Sequence, residues 1–177
     1  MPDIARWRGT WHGLGVTTPD EGLYHDLIGR YAEPHRRYHT NQHLDECFAR
    51  LDEARDLAQR AHEVELALWL HDAVYQTRNQ DNEEQSAELA KAAVAQAGLA
   101  AAVGQRVHAL ILATKHDGDA TTADAALLVD VDLAILGAPA ERFDEYERQV
   151  REEYSWVPVP AKAPGDPDSI LGAGTRV

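Results

Sequence analysis

The amino-acid sequence predicts an all-α fold, a bundle of six or seven helices followed by an irregular tail. Three observations carry this expectation. Leu66-Ala67-Leu68-Trp69-Leu70-His71-Asp72-Ala73-Val74-Tyr75 is apolar at almost every position, and a helix apolar on all sides is a buried one. Other segments repeat their apolar residues with the 3.6-residue period of helices, as do Leu44, Phe48 and Leu51, and Val103, Val107, Leu110 and Ile111. Beyond Pro158 the periodicity is lost, and four prolines fall between positions 158 and 167, which reads as an irregular segment. The length of 177 residues suits one domain, placed at 1–157 with a tail at 158–177.

In chain order, residues 1–18 carry Trp7 and Trp11 among glycines and threonines and give no clear element. Pro19-Asp20-Glu21 opens a helix, with proline in the first turn and acids at the positive end of the dipole. It runs through Leu23, Leu27 and Ile28 and stops before Pro34. A second helix is expected over about 40–58 and the buried helix over about 62–75. Asp81 with Glu84 three residues later has the capping-box pattern that starts a further helix. This one is alanine-rich and ends at Gly98. The next covers about 100–116, with Lys115-His116 at its C-terminus. Ala125 to Leu136 is a second buried apolar run, ended by Gly137-Ala138-Pro139. A last helix spans about 139–156, with Phe143, Tyr146, Val150 and Tyr154 on one face.

Composition narrows the function. Hydrophobic residues make up 44% and charged residues 27%, as in soluble globular proteins. No run approaches the ~18 apolar residues of a membrane span, and Met1 to Arg8 has no signal-peptide core. Cys47 is the single cysteine, so neither an intrachain disulfide nor a thiolate metal cluster is available, and the expected compartment is the cytoplasm. The net charge of −13 argues against nucleic acid and anionic lipid as partners. It leaves room for a small phosphorylated substrate held by local positive charge. Nine histidines against one cysteine favour nitrogen and oxygen ligands for any metal.

The chemistry sits where polar residues interrupt the apolar runs. His71 and Asp72 lie in the first buried stretch, Asp130 and Asp132 in the second. Buried polar groups need partners. A network with another helix would serve, and so would a metal ion, which takes imidazole nitrogen and carboxylate oxygen together. His39 and His43 are four apart and share a helical face, a spacing equally expected of a helix start with two solvated imidazoles. One shared cation would account at once for His39, His71-Asp72 and Asp132 in a single core.

These blocks resemble the HD superfamily of metal-dependent phosphohydrolases, and more narrowly a compact bacterial branch known as predicted HD phosphohydrolases. The likeness rests on Pro34-His35-Arg36-Arg37-Tyr38-His39, Leu70 to Tyr75, Asp81 to Ala87, Ala113-Thr114-Lys115-His116, and Asp130 to Gly137. It covers roughly residues 20–157. The resemblance implies an HD-type helical domain with His39, His71, Asp72 and Asp132 as ligands to a divalent ion (Mn, Co, Ni, Fe, Zn or Mg), and Asp130 orienting a ligand. It implies hydrolysis of a small phosphate ester, best a nucleoside monophosphate, with Asp72 and Glu83 catalytic. Glu83 handles the water's proton, although an acid there also suits a helix start. Arg36 and Lys115 would hold the phosphate. His43 and His116 would meet the substrate or a second metal, or close a helix end. Other readings are a di-iron oxygenase, which needs His43 and His116 as extra ligands, and a metal-binding helical protein without activity. Members of the branch continue past the Arg-Glu-Glu-Tyr segment with two more helices, where this chain has its Pro/Gly tail. An apolar patch near Phe143 and Tyr154, open to a second copy in a homodimer, is therefore expected.

Overall fold

The computed structural model describes residues 2–118 and 120–158. The expected irregular tail from 158 therefore lies, beyond its first residue, outside the described residues. Among the described residues the fold is all-helical, with no strand. Eight α-helices follow one another: α1 (Ile4–Gly13), α2 (Glu21–Arg30), α3 (Asn41–Ala54), α4 (Ala61–Leu70), α5 (Asn82–Gln96), α6 (Ala101–Ala113), α7 (Ala123–Asp132) and α8 (Ala140–Glu153). Short 3₁₀ turns follow α3 and α7. No helix among them is long and apolar enough to cross a membrane.

Helix α4 is the axis of the bundle. Every residue from Glu63 to Leu70 is buried, and α1, α3, α5, α6 and α7 all pack on it. Its Trp69 ring stands edge-on to Trp7 and Tyr24 and against Phe48, while the indole N–H donates to Thr10 Oγ1 at 3.2 Å. Helices α5 and α6 form an antiparallel pair through Gly98, whose φ of +75° is readily reached only without a side chain.

Three expectations are corrected. The first is the missing element over 1–18, where the structure has α1. Asp3 caps it by accepting from the Ala5 N–H at 2.9 Å, and Trp7, Thr10 and Trp11 are buried. Its glycines disguised it in the sequence, but Gly13 lies against the His62 ring, which a Cβ there would push aside. The second is the length of the buried helix. It ends at Leu70, and His71 to Tyr75 form an irregular turn. The third is the capping box, because Asp81 makes no side-chain cap to α5. Asn82 organises this entry instead, accepting from the Gln76 N–H and donating to the Gln76 carbonyl, both at 3.0 Å.

Phe143 and Tyr154 are half-covered; among the described residues the large apolar side chains open to solvent are Leu57, Leu133, Leu136, Trp156 and Val157, the last two just beyond Tyr154. Helix α8 is tied down by Arg142, which forks onto both Glu46 carboxylate oxygens at 2.7 and 2.9 Å.

Trp7→Ala should cost about 3–5 kcal/mol, as for a large buried aromatic, read as a lower urea midpoint with unchanged slope. A loss below about 1 kcal/mol would mean that α1 is not part of the cooperative core.

Candidate metal centre

The turn after α4 is shaped by side chains that take over its backbone groups. The buried Tyr31 hydroxyl donates to the Trp69 carbonyl and accepts from the Asp72 N–H, each at 3.3 Å. Ser86 Oγ accepts from the Val74 N–H at 3.0 Å, and the His35 ring reaches the Tyr75 carbonyl at 2.8 Å. Arg36, 3% exposed, donates to the carbonyls of Asp72 at 2.7 Å and of His39 and Ala73 at 3.4 Å, and to the Glu33 carboxylate at 3.1 Å. Unsatisfied carbonyls at a helix end need such donors. The guanidinium expected to grip a phosphate thus serves as an internal strut, with no exposed side-chain surface.

Two helix ends and one helix beginning deliver the donors. His43 comes from the start of α3, His71 and Asp72 from the turn after α4, and Asp132 is the last residue of α7. Ligand atoms of His43, His71 and Asp132 lie within 4.8 Å of one another. The two Nε2 atoms are 3.2 Å apart, and Asp132 Oδ1 is 3.2 Å from His43 and 3.4 Å from His71. Asp72 Oδ2 joins them, 3.1 Å from His71 Nε2 and 3.7 Å from His43 Nε2. Donors held ~2.1 Å from a common ion at tetrahedral or octahedral angles are separated by roughly 3.0–3.4 Å. Four of the five spacings fall in that range.

Two further features fit a cation. Asp72 Oδ2 is buried and has no aligned hydrogen-bond partner, near as His71 is. His71 Nδ1 is 2.8 Å from the Leu68 carbonyl, which only accepts, so Nδ1 carries the hydrogen. In the neutral ring Nε2 is then a bare lone pair facing the cluster. Electrostatics point the same way. Burial would discharge His71, but the Asp72 carboxylate, Tyr31 and the Asp132 carboxylate together outweigh it and lift the imidazole well above its ordinary pKa. Burial likewise opposes charge on Asp72 and Asp132, yet the imidazoles of His71 and His39 around Asp72, and of His116, His43 and His71 around Asp132, hold both carboxyls far down. The field that draws a proton to these nitrogens draws a metal ion too, and metal uptake releases the proton.

The expected ligand set is thus only partly what the geometry gathers. His71, Asp72 and Asp132 are together, and His43, expected at the substrate, stands among the donors. His39 lies in the loop before α3. Its Nδ1 is 2.5 Å from Glu153 Oε1, and its ring is stacked on Tyr75 and 5.7 Å from the His43 ring between centroids. His116 reaches Asp132 Oδ2 at 3.2 Å from a left-handed backbone conformation, φ +53°, which a non-glycine residue seldom adopts. Lys115 is bound to Glu84 at 2.5 Å. Glu83 sits in the first turn of α5, where burial, reinforced by the Asp72 and Glu84 carboxylates, raises its pKa. Asp130 makes no contact that joins it to the cluster.

Glu153 escaped the sequence reading. A signal was present, since an acid at 153 continues the apolar face of Tyr146 and Val150 at helical spacing. No family model, curated protein or solved structure matches the chain.

Adding Mn²⁺ or Co²⁺ should stabilise the protein by about 2.7 kcal/mol at a concentration 100 times the dissociation constant, measured as a rise in melting temperature. Asp72→Ala should abolish the increment. Arg36→Lys should lower stability by about 1–3 kcal/mol, because a point charge cannot span four acceptors. An unchanged urea midpoint in Arg36→Lys would contradict the strut.

Proposed function

We infer that the chain is a metal-dependent phosphohydrolase acting on a small phosphate ester, with nucleoside monophosphates as the favoured substrates. The observation that carries this reading is the His43–His71–Asp132 group, its histidines buried, with Asp72 Oδ2 beside it at 3.1 Å from His71 Nε2. Two imidazoles and two carboxylates form a mixed nitrogen and oxygen set of the kind that suits a hydrolytic divalent ion. Such an ion, when bound, acidifies a water and polarises a phosphoryl oxygen.

The chain's own residues supply the rest. His43, His71, Asp72 and Asp132 hold the ion. Glu83, half-buried with a raised pKa, is suited to accept the water's proton and pass it to the leaving oxygen. Lys115 and His116 bring positive or hydrogen-bonding groups to the rim, Lys115 shared with Glu84. Beside His43 and Asp132 runs a cleft of about 230 Å³ walled by Tyr38, Ile135 and Pro139, with Arg50 and Arg142 on it. Its small volume suits part of a small ester.

One observation favours a second reading. The two oxygens of Asp132 face different histidines, Oδ1 toward His43 and Oδ2 toward His116, each at 3.2 Å. A carboxylate so placed can serve two metals, as a di-iron oxygenase requires. Two equivalents of iron with oxygen-dependent turnover would select that reading.

Purified protein given Mn²⁺, Co²⁺, Mg²⁺ or Ni²⁺ should release phosphate from a nucleoside monophosphate and lose that activity to chelator. Glu83→Gln should lower kcat by roughly 10²–10⁴ while keeping the metal-induced rise in melting temperature. Metal uptake without turnover on a broad panel of phosphate esters would favour a metal-binding protein without this activity.

A further inference from the structure

Glu153 is the last residue of α8 and is 5% exposed. Its carboxylate does two things at once. Oε2 accepts three successive backbone N–H groups, from Arg37 at 2.6 Å, Tyr38 at 2.8 Å and His39 at 3.3 Å. Consecutive N–H groups turned to one side form an anion-binding concavity, and here a side chain from a distant helix fills it. Oε1 meets His39 Nδ1 at 2.5 Å. A charged carboxylate has no proton to give, so Nδ1–H is the donor and the neutral ring keeps its lone pair on Nε2. The ring is fixed on its other sides by stacking on Tyr75 at 4.2 Å and by the edges of Tyr38 at 4.9 Å and His43 at 5.7 Å between centroids.

From these contacts we propose that Glu153 is a positioning residue for the metal centre. It locks the 37–39 loop and selects the His39 tautomer whose bare Nε2 is available to the ion or to a ligand bound on it. The proposal rests on the reading of the centre as a divalent-cation site. Carboxylates that orient a metal-site imidazole commonly matter to metal affinity by 10–100-fold. The same side chain makes the end of α8 part of the site, although α8 contributes none of the clustered donors.

Glu153→Gln separates positioning from packing. The amide oxygen can replace Oε2 on the three N–H groups. The amide NH₂ then faces His39 Nδ1 and can only donate, which forces the imidazole hydrogen onto Nε2. Imidazole ¹⁵N shifts of metal-free protein should show His39 as the Nδ1–H form in the wild type and the Nε2–H form in Glu153→Gln. Co²⁺ affinity by titration should fall 10–100-fold in Glu153→Gln. The same substitution in a His39→Ala background should change Co²⁺ affinity by less than about twofold, since it acts through the ring.

A wild-type His39 in the Nε2–H form would overturn the proposal without any variant. So would wild-type Co²⁺ affinity in Glu153→Gln, or an equal loss with and without His39. Wild-type protein that binds no divalent ion would overturn the reading of the centre, and the role of Glu153 with it, whichever tautomer His39 shows.

Discussion

Two carboxylates, Asp72 and Asp132, are held next to two imidazoles inside a bundle that has little water to offer them. Removing charge from water is costly unless opposite charge and hydrogen bonds are supplied with good geometry. Much around the centre follows from that constraint. Helix α4 stops one residue short of His71, so that imidazole and carboxylate can turn to the same side. Arg36, Tyr31 and Ser86 occupy the backbone groups that the interrupted helix leaves open. His116 accepts an unusual backbone conformation to place its ring on Asp132.

The fold was largely legible, because burial of apolar runs and helical periodicity act locally. Val64 to Leu70 announced the central helix without ambiguity. Its end did not announce itself, since Ala73, Val74 and Tyr75 continue the apolar character. What breaks the helix is a hydroxyl from Tyr31 and a guanidinium from Arg36, both remote in sequence and invisible to a local pattern. The same holds for α1, whose Gly9 and Gly13 weaken helix propensity. The contact of Gly13 with His62 is what explains one of those glycines.

The site was legible in its residue types and less so in their roles. His71, Asp72 and Asp132 stood out as charges in apolar surroundings. His39 and His43 could not be ranked by spacing alone. Thr40 decides between them: its hydroxyl accepts from the Gln42 N–H at 3.3 Å as the N-cap of α3. His39 therefore lies before the helix and His43 within it, buried beside Leu44 and Cys47. The apolar face of α8 set Glu153 apart from Glu152, but its partners, the N–H groups of residues 37–39, are a tertiary fact separated by more than a hundred residues.

Helices α4 and α7 both end at the donor cluster, and α8 ends on His39. A helix C-terminus carries roughly half a negative elementary charge, spread over carbonyls such as those that Arg36 gathers. These ends add to the carboxylates and to a chain whose net charge is −13. The carboxylates and the α4 and α7 ends, partly offset by Arg36 and the α3 N-terminus, would on the proposed function help attract a divalent cation. A phosphate dianion arriving at the empty centre would be turned away by the same charges. On the proposed function, loading is therefore sequential: the cation enters first and inverts the local sign, and the anionic ester follows.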